Sequence, residues 1–268
     1  MPITNGAPLP QRVPAGLFGM RPISCALIGL VIATPSVAQS PAASEPLRHS
    51  VWMVYGGDHP VSSRLGVVFD SLVRLTADGD ETRQLLLRPG LSFAVTDRVK
   101  LSGGYTLMAA RDGANDPLTP KHSEHRAWAS AQLGHDVGHL GLAHRVRAEH
   151  RWLPGMRVDQ SGAPAGETYV TAERLRYNVR ATIPLAGTRA ARWLTASLSE
   201  ELFASFGGYA GDMAVDQNRA AVSIGVKVGR ALRMDVGYML QSSADDEGRF
   251  TERNHVLQLT AVSTARLR

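Results

Sequence analysis

Apolar and polar residues alternate along most of this chain with the period of a β-strand. In Arg145 to Trp152 (RVRAEHRW) and Arg174 to Ile183 (RLRYNVRATI), arginine and other polar residues take every second position and mostly apolar residues stand between them. Successive strand side chains point to opposite faces, so one face of these segments meets water and the other meets something apolar. Either the packed core of a soluble sheet or lipid outside a barrel supplies that apolar partner.

Eleven such runs follow one another, separated by turn residues. They are Val51 to Gly56, Leu65 to Leu75, Arg83 to Val95, Val99 to Ala109, Glu124 to Leu133 and Leu140 to Trp152. Tyr169 to Ile183, Arg192 to Phe206, Gln217 to Val228, Leu232 to Gln241 and Asn254 to Val262 complete the series. All but the first reach or approach the roughly 9 to 11 residues that a tilted strand needs to cross a membrane. The connections alternate between short (around Thr96-Asp97-Arg98 and Gly229-Arg230-Ala231) and longer (Arg111 to Ser123, Leu153 to Glu167), as in outer-membrane barrels with short periplasmic turns and longer outer loops. The prediction is all-β: one antiparallel up-and-down barrel over residues 51–268, of ten strands counted from Leu65 or, second, of twelve. The run Val51 to Gly56 is then a strand that plugs, pairs imperfectly or has a twelfth partner elsewhere. Pro89 in mid-strand removes a ladder donor and predicts a bulge or break. Adjacent Glu200 and Glu201 must face opposite ways, which predicts that Glu200 lies near a rim or beside a bulge.

The amino-terminal segment changes the picture. Residues 1–38 read as a secretory signal peptide: Arg12 and Arg21, an apolar stretch from Ile23 to Ala33, then Ser36-Val37-Ala38 before Gln39, with cleavage expected after Ala38. A flexible leader rich in Pro, Ala and Ser follows over residues 39–50. Cys25 is the single cysteine, so a chain cleaved there has none, and disulfides and thiol catalysis drop out. After Ala38 no apolar window is long enough for a membrane helix, so a bilayer span must be a closed barrel. The net charge of +5 falls to +3 without Arg12 and Arg21. That surplus is small and spread over strands, which argues against nucleic acid as a partner.

Several short segments, LLLRPGL (Leu85 to Leu91), EELF (Glu200 to Phe203), VDQNR (Val215 to Arg219) and VGYMLQ (Val236 to Gln241), together with the paired arginine strands, resemble in their order a bacterial domain-of-unknown-function family of predicted outer-membrane barrels. The resemblance runs from about Trp52 to the end. It implies an envelope location and a barrel architecture, and carries no activity with it.

Counting by twos assigns a lumen charge network: Arg88, Arg126, Arg145, Arg147, Glu149, Arg151, Arg174, Arg176, Arg180, Glu201, Arg219 and Asp235. Crowded guanidinium groups need carboxylates, and Glu124, Asp70, Glu149, Glu201 and Asp235 share their faces. If the pairs are complete, the barrel is a structural or narrow-pore protein; if some arginines stay free, it is a channel or binding site for an anionic small solute. Two other readings stay open. A soluble periplasmic barrel of the lipocalin type would place the apolar face inside, and an outer-membrane lipid hydrolase would use His122-Ser123, His125 or His255, none of which stands in a nucleophile pattern. Trp52, Trp128, Trp152, Tyr169, Trp193 and Tyr238 fall near run ends, as an interfacial girdle would. His135 and His139 lack a third ligand at metal spacing, so neither metal nor cofactor is expected. The expected partner is the lipid bilayer of a Gram-negative outer membrane, and no enzymatic activity is expected.

Overall fold

A computed structural model describes residues 47–76, 83–111, 122–158, 164–185, 193–207, 214–245 and 248–267. The expected signal peptide and most of the leader lie outside these. Eleven strands form: β1 (Leu47–Pro60), β2 (Leu65–Thr76), β3 (Arg83–Ala94), β4 (Val99–Arg111), β5 (His122–Val137) and β6 (Leu140–Val158). Then come β7 (Pro164–Pro184), β8 (Leu194–Phe206), β9 (Ala214–Val228), β10 (Leu232–Ala244) and β11 (Phe250–Ser263). They close into one barrel in sequence order, β2 through β11, with β1 between β11 and β2.

Every neighbouring pair is antiparallel except the closing one, where β1 runs parallel to β11 from Leu47↔Arg253 to Gly57↔Ser263. An odd number of strands joined up and down requires one such pair, because the first and last strands then point the same way. The run expected to plug or pair imperfectly is instead a full wall strand. It also pairs with β2 from Ser50↔Thr76 to Pro60↔Gly66. The count of eleven falls between the two considered from sequence.

The faces sort as the alternation demands. Inside are Arg88, Thr106, Glu124, Arg126, Arg147, Glu149, Arg176, Glu201 and Asp235, all buried. Outside are exposed Leu91, Val146, Leu175, Val222, Ile224, Val236 and Leu257. A lipocalin-type arrangement would need the reverse. Trp52, Met239 and Val256 are buried together on the inner face, with Leu72 and Ala221 against them. This cluster backs the β1–β11 seam.

Two turns at the same end use one device. Ser62 Oγ accepts from the N–H groups of Arg64 and Leu65 at 3.3 and 3.0 Å, and Thr96 Oγ1 accepts from those of Arg98 and Val99 at 3.2 and 3.0 Å. A side-chain oxygen thus satisfies turn donors that no strand can reach. The β5–β6 turn places Gly138 at φ 61°, where a side chain would be strained. At the opposite end β6 and β7, 19 and 21 residues long, form a hairpin much longer than a bilayer span of about 9 to 11 residues requires. The connection expected over Leu153 to Glu167 is therefore largely strand.

Two local expectations are corrected. β3 neither bulges nor breaks at Pro89: its alignment with β4 is the same on both sides, at Leu87↔Leu107 and Gly90↔Gly104, and only Arg88 and Pro89 drop out of the ladder. The β2 side stays paired there, at Phe69↔Pro89, so the missing donor is aimed at β4 alone. Glu200 lies in the middle of β8, paired in regular register with Val179 and Ala220, and the β8–β9 irregularity falls later, between Phe203 and Ala204. Asn218 of β9, on the same outer face, donates to its carboxylate. A hydrogen-bonded partner on the next strand, not a rim or a bulge, accommodates this charge.

Candidate functional site: the charged lumen

The inner wall of β5 through β9 opposes like charges directly. Arg126 faces Arg151, and Arg147 faces Arg176. Arginines directly opposite each other repel, and here carboxylates on the diagonals stand between them. Glu149, its side chain 0% exposed, accepts from Arg126 at 3.2 Å and from Arg176 at 2.8 Å. Glu124 accepts from Arg126 at 2.8 and 3.1 Å and from Arg151 at 2.5 Å. Glu201 receives Arg145 and Arg176, each at 2.9 Å, with Arg219 at 3.8 Å. Long guanidinium side chains span the diagonal that short ones could not, which is why the pairing follows strand stagger instead of direct opposition.

Three further pairs extend the network toward the two ends. Arg174 donates to Asp216 at 2.7 Å and to Ser205 at 2.9 Å. Arg88 donates to Thr106 at 3.1 Å and lies 3.5 Å from Asp70. Asp235 receives Arg233 at 3.0 Å, with Arg180 at 4.0 Å. Gly225 sits opposite Asp235, and a Cβ there would stand 1.8 Å from Asp235 Oδ1. The glycine leaves the carboxylate its room.

Aromatic rings thread between the cations. Arg74 lies 4.1 Å over Trp52, Arg219 lies 5.0 Å from Trp52 and 4.5 Å from Phe203, and Arg176 lies 4.6 Å from the other ring contact, Phe203. Arg147 lies 4.5 Å over Trp128. Such contacts stabilise a cation in a site where water is scarce. Trp52 and Trp128 are thus interior residues, 2% and 5% exposed, and not members of a girdle. Trp128 fits because Gly90 and Gly104 lie under its ring.

All twelve residues assigned to the lumen from sequence stand on the inner face, and most share one continuous network. Arg74, Trp52, Trp128 and Phe203 were missed. The signal was available for two of them: Trp128 is in phase with Arg126 and Ser130, and Phe203 with Glu201.

The network encloses a cavity of about 490 Å³. Nine arginines line it, at 74, 88, 126, 145, 151, 174, 176, 180 and 219, against three carboxylates, Asp70, Glu124 and Glu201. Carboxylates shared among two or three arginines satisfy hydrogen bonds without balancing charge. The hydrolase candidates point elsewhere. Tyr105 Oη is hydrogen-bonded with His125 Nδ1 and Tyr238 Oη with His255 Nδ1, each at 2.5 Å, on the outer face. The His122 side chain lies outside the described residues. His135 stacks on His144 at 5.2 Å, and no group of three metal-ligating side chains occurs among the described residues.

A family model described as a protein of unknown function (DUF2490) matches residues 49–252. The chain belongs to that family. Curated proteins give no significant match to this member of DUF2490. A solved structure described as the NanC porin in a rhombohedral crystal form is similar over 76% of this chain and 93% of its own, at 10% identity and a TM-score of 0.44.

Proposed function

We propose that this DUF2490 protein is an outer-membrane barrel of a Gram-negative bacterium, exported by a signal peptide cleaved after Ala38, whose narrow lumen favours small anions. The apolar outer wall supports a lipid environment, since every strand is paired and the barrel leaves no open edge. No helix among the described residues is long and apolar enough to cross a membrane. The observation that carries the anion preference is the lining of nine arginines against three carboxylates. A confined lumen with that surplus attracts anions and repels cations. The reading assigns no catalytic step and no cofactor.

A second reading, a closed structural scaffold, is favoured by the enclosure of Glu149 and the cross-lumen stack of Arg74, Trp52, Arg219 and Phe203. Planar-bilayer recording in a potassium chloride gradient separates the two. Discrete steps with a reversal potential of the sign set by chloride are expected; a folded, inserted barrel without steps leaves the scaffold. Release of the protein by osmotic shock would overturn the membrane reading itself.

A further inference from the structure

We infer that the short-turn end of the lumen contains a discrete binding site for a small oxyanion, built around Arg147. The inference rests on the lumen being open to small anions from at least one end, and narrows that reading to one place and one ligand chemistry. Arg147 is 2% exposed, yet its Nε and Nη1 have no hydrogen-bond partner. The charges that act on it most are like-signed, Arg88, Arg145 and Arg176, and the opposing one is Glu149, already committed to Arg126 and Arg176. Trp128 covers one face of the guanidinium and supplies no acceptor for its edge. A buried cation left without an acceptor is costly, and such orphan donors in folded proteins mark a water or an ion.

Beside Arg147 lies a second cavity, of about 160 Å³, which it lines together with Lys100, Ser102, Gln132, Arg145 and Asp58. That is room for about five waters, and so for a small oxyanion with part of its shell. Its carboxylates are occupied: Asp58 accepts from Lys100 and Ser92, and Asp70 lies against Arg88. What the cavity still offers is donors. Arg147 lines the cavity, and its Nε–H and Nη1–H leave the guanidinium on different sides as donors to separate acceptor atoms; an oxyanion in the cavity would take one of them in a charge-assisted bond. Lys100, which also holds Asp58, enters from β4, and Arg145, which also holds Glu201 through Nη2, from β6, so the anion would be held from two strands and not by one flexible side chain. A tetrahedral oxyanion uses this spread of donors; chloride, a single point acceptor, does not.

The test is calorimetric titration of the detergent-solubilised, full-length mature protein with inorganic phosphate, then sulfate, acetate and chloride at constant ionic strength. One saturable phosphate site is expected, at least tenfold tighter than chloride, with sulfate and acetate reporting whether tetrahedral or planar oxyanions fit. Arg147→Gln should weaken phosphate by about tenfold or more, the loss of a charge-assisted contact. Arg147→Lys keeps the charge but moves the donor and removes the flat stack on Trp128, and should also weaken it. Lys100→Gln, near the rim and less demanding of the fold, should weaken it several-fold, which keeps the test sound if Arg147→Gln fails to fold. Phosphate no tighter than chloride in the unaltered protein would overturn the site, as would unchanged affinity in both Arg147→Lys and Lys100→Gln. Phosphate binding in a barrel that conducts no current supports the site and removes the pore; anion-selective current without phosphate binding does the opposite.

Discussion

Replacing Glu149 by Gln tests whether the carboxylates hold the arginine layer together or merely sit within it. Glu149 accepts one hydrogen bond from Arg176 at 2.8 Å and one from Arg126 at 3.2 Å, with none of its side chain exposed. A hydrogen bond to a charged group contributes about 1.5 to 3 kcal/mol net. Gln keeps one acceptor oxygen, so one bond survives at neutral strength, and its amide turns a donor toward a guanidinium that can only donate. Outright breakage of a buried pair costs about 3 to 5 kcal/mol because it strands a charge. Here neither cation is stranded: Arg126 retains Glu124 at 2.8 Å, and Arg176 retains Glu201 at 2.9 Å. The expected loss is therefore about 2 to 4 kcal/mol, below the full penalty and well above a surface substitution.

Reversible urea unfolding in lipid vesicles, followed by tryptophan fluorescence, measures this directly. Combining Glu149→Gln with Arg176→Met should give a coupling energy of about 1 to 3 kcal/mol, since the two share a bond. A Glu149→Gln protein within about 0.5 kcal/mol of the unaltered one would show that the carboxylate does not hold the layer, because that is the range of substitutions away from any specific interaction. It would mean that water, not the carboxylate, screens the arginines. In the same variant an open lumen gains a positive charge, so its anion preference should rise as its stability falls. A change that destabilised the barrel and lowered anion preference would contradict the electrostatic account.

Other positions give narrower tests. Gly104→Ala would put a Cβ 2.2 Å from the Pro89 carbonyl oxygen and 2.6 Å from Gly90 Cα, backbone atoms that cannot swing aside; a loss of about 2 to 3 kcal/mol is expected in the same unfolding assay. The neighbouring Gly103→Ala meets only the Trp128 carbonyl oxygen, at 3.3 Å, and should cost about 1 kcal/mol or less. The outward pair Glu200 and Asn218 is polar surface facing lipid on the proposed reading, so Glu200→Leu with Asn218→Val should stabilise the barrel in vesicles by about 1 to 3 kcal/mol. Destabilisation by the pair of changes would show that this face is not in contact with acyl chains.

The parts legible in the sequence are those that depend on strand parity. Each of the eleven alternating runs is a strand, and counting by twos places Arg145, Arg147, Glu149 and Arg151 on one face without knowledge of their neighbours. What parity cannot give is partners. Glu149 stands directly opposite Trp128 and Arg174 yet bonds Arg126 and Arg176. That choice depends on stagger and twist, which no single strand encodes. Large aromatics near run ends, such as Trp52 and Trp128, fit an interfacial girdle as well as an interior, although parity sets Trp128 beside Arg126. The position of Glu200 depends on Asn218, which lies on a neighbouring strand whose register one sequence does not give. A proline such as Pro89 suggests a break, but a wall strand has two neighbours, and a missing donor on one side leaves the other ladder intact.

The closing strand shows why ten strands would not serve. Parallel pairing is slightly weaker per residue than antiparallel, so the β1–β11 seam needs support from something other than its ladder. Trp52 of β1 supplies it, packing inside against Val256 of β11 and Met239 of β10, with Leu72 of β2 and Ala221 of β9 beside them. Without β1, Val256, 0% exposed, and Met239, 4% exposed, would lose their largest partner and face a polar lumen. Burying side chains of this size contributes about 1.5 to 3 kcal/mol each. The same ring ties the seam into the charged lumen, since Arg74 lies 4.1 Å and Arg219 5.0 Å from Trp52, and both line the cavity. The strand that closes the barrel therefore also holds two of the cations whose field would draw an anion inward.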